Sequence, residues 1–142
     1  MPIQNTKLIP IKAIIAIERT ASEDGRFLDL NSVSWAVYEG VTTVPIFHDG
    51  LIAGIFEHVW REETETGARI HASGVLLDRG LAKIKVGQQV GMTVDDLTLM
   101  SYPDSDGVLV ITQARLRNVW IYGETQQAAW RQCTITEVGE PE

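Results

Sequence analysis

Residues 51–77 read LIAGIFEHVWREETETGARIHASGVLL, two alternating runs flanking a short polar turn, and this constrains the fold more than any other stretch. Alternation with period two belongs to a strand that buries one face, and two such runs about a Gly-containing turn make a hairpin. In Leu51–Arg61, Ile52, Gly54, Phe56, His58 and Trp60 share one face, and Ile55, Glu57, Val59 and Arg61 the other. Centring the turn between Thr64 and Glu65 sets His58 opposite His71.

Further strands are expected on the same grounds. The Ile-rich run Pro10–Glu18 has the profile of a buried strand, and TTVPIF leads into His48-Asp49-Gly50, which reads first as a turn. Val90–Met100 and Val108–Tyr122 are strand-like and joined by PDSDG, whose Asp-x-Asp-Gly opens like a calcium loop but lacks the distal Glu. Asp78 is placed to cap a short helix, LAKIKVGQQ, and Ala128–Val138 adds a last short helix and strand. The expected fold is mainly β (α+β): a small closed or nearly closed antiparallel β-barrel with one or two short helices, a single domain over 1–142.

Composition excludes several functions. The chain carries 12 Lys and Arg against 19 Asp and Glu, a net charge of −7, and the basic residues are scattered, so no nucleic-acid partner is expected. The single Cys133 allows no internal disulfide and no cysteine-based zinc cage, which fits a reducing compartment. The apolar N-terminal stretch is interrupted by Lys12 and closed by Glu18, too short for a membrane span, so no membrane partner is expected. His58 and His71 would supply two metal ligands where three or four are needed, and with no phosphate-cradling loop in the sequence, neither metal nor cofactor is expected. Trp35, Trp60, Trp120 and Trp130 read as core or interface anchors.

The order of motifs resembles the capsid maturation (prohead) proteases of tailed bacteriophages, in particular the actinobacteriophage branch, over most of the chain. The similarity rests on AIIAIERTASEDGRFLDLNSVSW, on VPIFHDGLIAGIFEHVWREETETGARIHASGVLLD, and on Gly91-Met92-Thr93-Val94-Asp95-Asp96 at the family's Gly-x-Ser-x-Asp element. The resemblance implies a small β-barrel with flanking helices, with His48 at the general-base position and Thr93 at the nucleophile position. Asn118, in ARLRNVWIYGETQQAAW, is nearest to the acidic third member, and His58 or His71 are the alternative third members.

The chain departs from the family pattern in having Thr for Ser, Asn for an acid, and Gln127-Ala128 for a Pro-Ala segment. An internal threonine crowds its own hydroxyl with a methyl, and Asn118 cannot stabilise an imidazolium as a carboxylate does. The resemblance therefore implies a capsid-associated structural protein, a decoration or minor capsid protein on a degenerate prohead-protease fold. The alternative is an active maturation protease cutting scaffold and capsid proteins with Thr93 and His48. The implied partners are the major capsid protein, other virion proteins and further copies of the chain, with Trp35, Trp120 and Trp130 as interface residues. The implied location is the virion capsid, and the host cytoplasm during assembly.

Overall fold

The computed structural model describes residues 8–77, 84–123 and 128–139, and within these the regular structure is all β. Ten strands occur in order: β1 (Leu8–Glu18), β2 (Arg26–Leu28), β3 (Val33–Ser34), β4 (Val44–His48), β5 (Leu51–Thr64), β6 (Gly67–Leu77), β7 (Val90–Val94), β8 (Met100–Pro103), β9 (Leu109–Ile121) and β10 (Ile135–Val138). They form one sheet, ordered β10-β1-β6-β5-β4-β9-β2, that curls into a half-barrel.

Two expectations are corrected here. Among the described residues there is no helix: Ile84–Gln89 contains a turn at Val86-Gly87, and Ala128–Thr134 runs as turns and bends into β10. The Asp78 cap and the first residues of the expected first helix lie outside the described residues. The positive φ of Gly87 and the backbone bond from its N–H to Ile135 O (2.8 Å) show what competes with a helix there. The second correction is that the curled sheet is not a closed barrel. Its nearest approach to closure is a bridge between Gln89 and Thr134, with Val90 N–H donating to Cys133 O at 2.9 Å and Ile135 N–H to Gln88 O at 2.9 Å.

The organising element is β9. Along one edge it takes β2, β3 and β4 in succession, all parallel, and along the other β8 and β7, both antiparallel. Three parallel pairings in a chain expected to be mostly antiparallel arise because β9 comes late and lies against strands laid down much earlier. Local alternation carries no trace of such distant pairings.

The core is the concave side. Ile11, Ala13 and Ile15 of β1, Ile46 of β4, Phe56 of β5, Ile70 and Ala72 of β6, and Val119 of β9 are all at most 1% exposed. Full burial of Phe56 alone is worth about 1.5–3 kcal/mol. The His48-Asp49-Gly50 corner is the turn its residues announce. Asp49 and Gly50 both have positive φ (51° and 78°), and His48 pairs with Leu51, so a two-residue turn closes the β4–β5 hairpin with the strands' own twist. Asp104-Ser105-Asp106-Gly107 is likewise a turn, its Asp104 carboxylate accepting the amides of Asp106 (2.8 Å) and Val108 (2.9 Å).

The β5–β6 hairpin departs from the expected register in two ways. Thr64 pairs with Gly67, so the turn is centred one residue later than expected, and His71 lies opposite Trp60 rather than His58. The second departure is a bulge between Phe56 and His58, which leaves Glu57 unmatched on β6. An extra residue on one strand reverses the alternation beyond it. Phe56 is buried, whereas past the bulge Val59 packs against the core and His58 and Trp60 are exposed.

Arg61 also turns inward past the bulge. There Glu18, 0% exposed, receives Nε of Arg61 at 2.7 Å and Nη2 at 3.0 Å, while Glu18 Oε2 accepts Val33 N–H at 3.0 Å. Arg61 Nη2 also donates to Val33 O at 2.6 Å, and its guanidinium lies over the Trp35 ring at 5.2 Å. This buried pair ties β1, β5 and the start of β3 together. No residue motif in the sequence marks it.

Candidate functional site

The candidate residues from the sequence fall on three strands around β9. His48 ends β4, Thr93 lies on β7 and Asn118 on β9. In the sheet His48 neighbours Ile121, and Thr93 neighbours Asn118. Neighbours in register share a face, and successive residues on a strand alternate faces.

These two rules separate the expected catalytic pair. Val90 and Ile121 are buried partners, so the row His48–Ile121–Val90 faces the core, as does Ile46 two residues before His48. Gly91–Trp120–Phe47 is the next row and faces outward, confirmed by the Phe47 and Trp120 rings stacked at 5.1 Å and 24°. Met92 and Val119 form an inward row, and Thr93 with Asn118 faces outward again. His48 and Thr93 therefore stand on opposite faces. They are three residues apart along β9, roughly 10 Å, and two strand spacings apart across it, roughly another 10 Å. General-base catalysis needs about 2.6–3.2 Å.

Each member has a different neighbourhood. The His48 ring is only slightly exposed, with Nδ1 3.0 Å from Ile121 O and Nε2 3.5 Å from the Asp49 carboxylate at the hairpin turn. The first contact fastens the end of β4 to β9, and the second stays within the hairpin turn. Thr93 does lie beside Asn118, as the expected constellation requires, and the buried Oδ1 of Asn118 has no hydrogen-bond partner. An amide beside a hydroxyl supplies no base.

The alternative third members are also distant. His58 on β5 is separated from β7 by β9 and β4, about 14 Å in strand spacings alone, and His71 is one strand farther. The His71 ring stacks on Trp60 (5.3 Å, 9°) and its Nε2 lies 3.1 Å from Glu62, an arrangement complete on the hairpin's outer surface. Among the described residues no group of three or more His, Cys, Asp and Glu side chains is arranged to hold a metal ion.

The expected interface tryptophans divide. Trp130 is 7% exposed, its Nε1–H donates to Thr20 O at 2.7 Å and Arg26 lies over its ring at 5.4 Å, so within this chain it is packed as part of the core. Trp35 packs on the core over Arg61, partly buried. Trp120 alone of the three lies on the outer sheet face, where Phe47 and the 57%-exposed Ile52 continue its apolar surface across β4 and β5. Cys133 is buried, and burial pushes its thiol up to about 12.

A second set of polar residues gathers around His58, and its other members went unmarked in the sequence. Glu137 of β10 pairs in register with Lys12 of β1, Lys12 with Ser73 of β6, and Ser73 with His58 of β5. Four consecutive strands thus present a carboxylate, an ammonium, a hydroxyl and an imidazole in one row. Lys12 Nζ lies 3.3 Å from Glu137. Only the strand order brings these residues together, so no spacing in the chain could have shown the row.

Comparison with protein-family models, curated proteins and solved structures finds no match for this chain.

Proposed function

We propose that this protein is a capsid-associated structural component of a tailed bacteriophage, a decoration or minor capsid protein on a prohead-protease-like β scaffold that does not cut. The order of the sequence motifs supports the phage assignment. The observation carrying the non-catalytic part is the placement of His48 and Thr93 on opposite faces of the sheet, with β9 between them. The outer surface formed by Trp120, Phe47 and Ile52 supplies the kind of aromatic-rich patch that protein interfaces use, here toward the major capsid protein or a further copy of the chain. The protein then resides in the virion, passing through the host cytoplasm during assembly.

The test is co-expression with the cognate major capsid protein and scaffold. The expected result is uncleaved scaffold and capsid protein, with this chain retained at fixed copy number in the particles. Cleavage that disappears in both Thr93→Ala and His48→Ala would overturn the reading and restore the protease.

A further inference from the structure

The row from Glu137 to His58 lies in an open surface trough of about 520 Å³. Two features of the strands create it. Along β6 the trough has a low floor at Ser73 and Gly74, and Gly74 cannot be larger because a Cβ there would meet Ile55 O at 2.0 Å. On the β5 side, the bulge brings Glu57 and His58 both onto the trough, where regular alternation would have sent one of them inward.

The result is a set of groups with complementary chemistry. Ser73 lies between His58 on one neighbouring strand and Lys12 on the other, at the roughly 4.5–5.5 Å Cα separation of directly paired antiparallel residues. That separation lets an imidazole nitrogen reach a serine hydroxyl by side-chain rotation alone. Among the described residues neither Ser73, His58 nor Glu57 has a side-chain hydrogen-bond partner, so no existing contact must be broken for them to engage one another or a ligand. A hydroxyl, an imidazole and a nearby ammonium in one trough are the parts that acyl transfer requires.

We propose that Ser73 and His58 form a hydrolytic pair acting on short-chain carboxylic esters, independently of the capsid assignment. Ser73 Oγ attacks the ester carbonyl carbon while His58 takes its proton, and the oxyanion that forms faces the Lys12 ammonium. Collapse breaks the carbonyl carbon–alkoxide bond, and His58 returns the proton to the departing alcohol. Water then attacks the acyl-Ser73 carbonyl, giving its proton to His58. The carboxylic acid leaves and Ser73 Oγ recovers the proton, so atoms and charge balance and no co-reactant besides water is used. The short-chain preference follows from the open trough, which brings a small acyl group to Ser73 but does not enclose a long one.

The test uses the full chain with p-nitrophenyl acetate as substrate and a fluorophosphonate as label. Expected are turnover about 100-fold or more above Ser73→Ala, the scale of general-base assistance, a similar loss in His58→Gln, and a single phosphonylated peptide containing Ser73 by mass spectrometry. Both substitutions are on the outer surface, and circular dichroism with a thermal melt checks that each variant is folded as the parent. Labelling of any other residue, or turnover in a folded Ser73→Ala equal to that of the parent, overturns the proposal.

Discussion

The Glu18–Arg61 pair gives the sharpest stability test. Replacing Arg61 by Leu removes both charge-assisted bonds to Glu18 (2.7 and 3.0 Å) and the bond to Val33 O (2.6 Å), leaving a carboxylate that is 0% exposed with only the Val33 amide (3.0 Å). Breaking a buried pair from one side costs about 3–5 kcal/mol, because the remaining charge is stranded out of water. At the 2–4 °C per kcal/mol usual near this chain length, that is a fall of about 6–20 °C in Tm. Removing both partners together, as Glu18→Leu with Arg61→Leu, leaves no stranded charge and is expected to recover most of the loss, since apolar replacement of buried pairs is often neutral or stabilising. Urea unfolding of the parent, the two single variants and the double variant gives the coupling energy directly. The reasoning fails if Arg61→Leu costs under about 1 kcal/mol, or if the two single losses simply add in the double variant.

Three further outcomes follow from burial. Trp130→Ala is expected to cost about 3–5 kcal/mol in urea unfolding, with self-association by analytical ultracentrifugation unchanged, since the ring fills the core and its N–H is bonded to Thr20 O. A small stability loss with altered association would return Trp130 to an interface. Cys133, with its thiol raised from 9.0 to about 12, is expected to resist a water-soluble disulfide reagent at pH 8 in the folded protein and to react on adding urea. Between pH 9 and about 12 the unfolded chain releases this proton and the folded one keeps it. The Cys133 contribution to stability is therefore present below pH 9 and lost as pH rises, so the parent should lose stability relative to Cys133→Ala across that window. Equal pH dependence of the two would contradict it.

The sequence showed most of the strands and two of the turns, because alternation and Asp-Gly chemistry are local properties. Leu51–Arg61 was legible as a strand, yet its faces reversed past Phe56, since a bulge depends on what the partner strand leaves unmatched. The helices expected near 81–89 and 128–134 failed for a related reason. In the described parts of both segments, backbone groups bond to distant parts of the chain, Gly87 N–H to Ile135 O on β10 and Ala129 O to Glu23 N–H in a turn, and tertiary partners override weak local helical patterns. For the site, Thr93 and Asn118 become neighbours through the antiparallel pairing of β7 with β9, whereas the side on which His48 projects depends on a parallel pairing across 73 residues from His48 to Ile121. The polar row at Ser73 was illegible for the same reason, being assembled from four strands whose neighbours are set by topology.

The bridge at Gln89 and Thr134 has a kinetic consequence. The amides of Gly87, Val90 and Ile135 are protected by single backbone bonds across this seam, outside any continuous ladder. Their exchange with solvent deuterium therefore proceeds through a local parting of two segments, without unfolding of β5 and β6. Such amides exchange early and with weak denaturant dependence, whereas those of Ile70 and Ala72, in the interior of the longest hairpin, wait for the whole molecule to open.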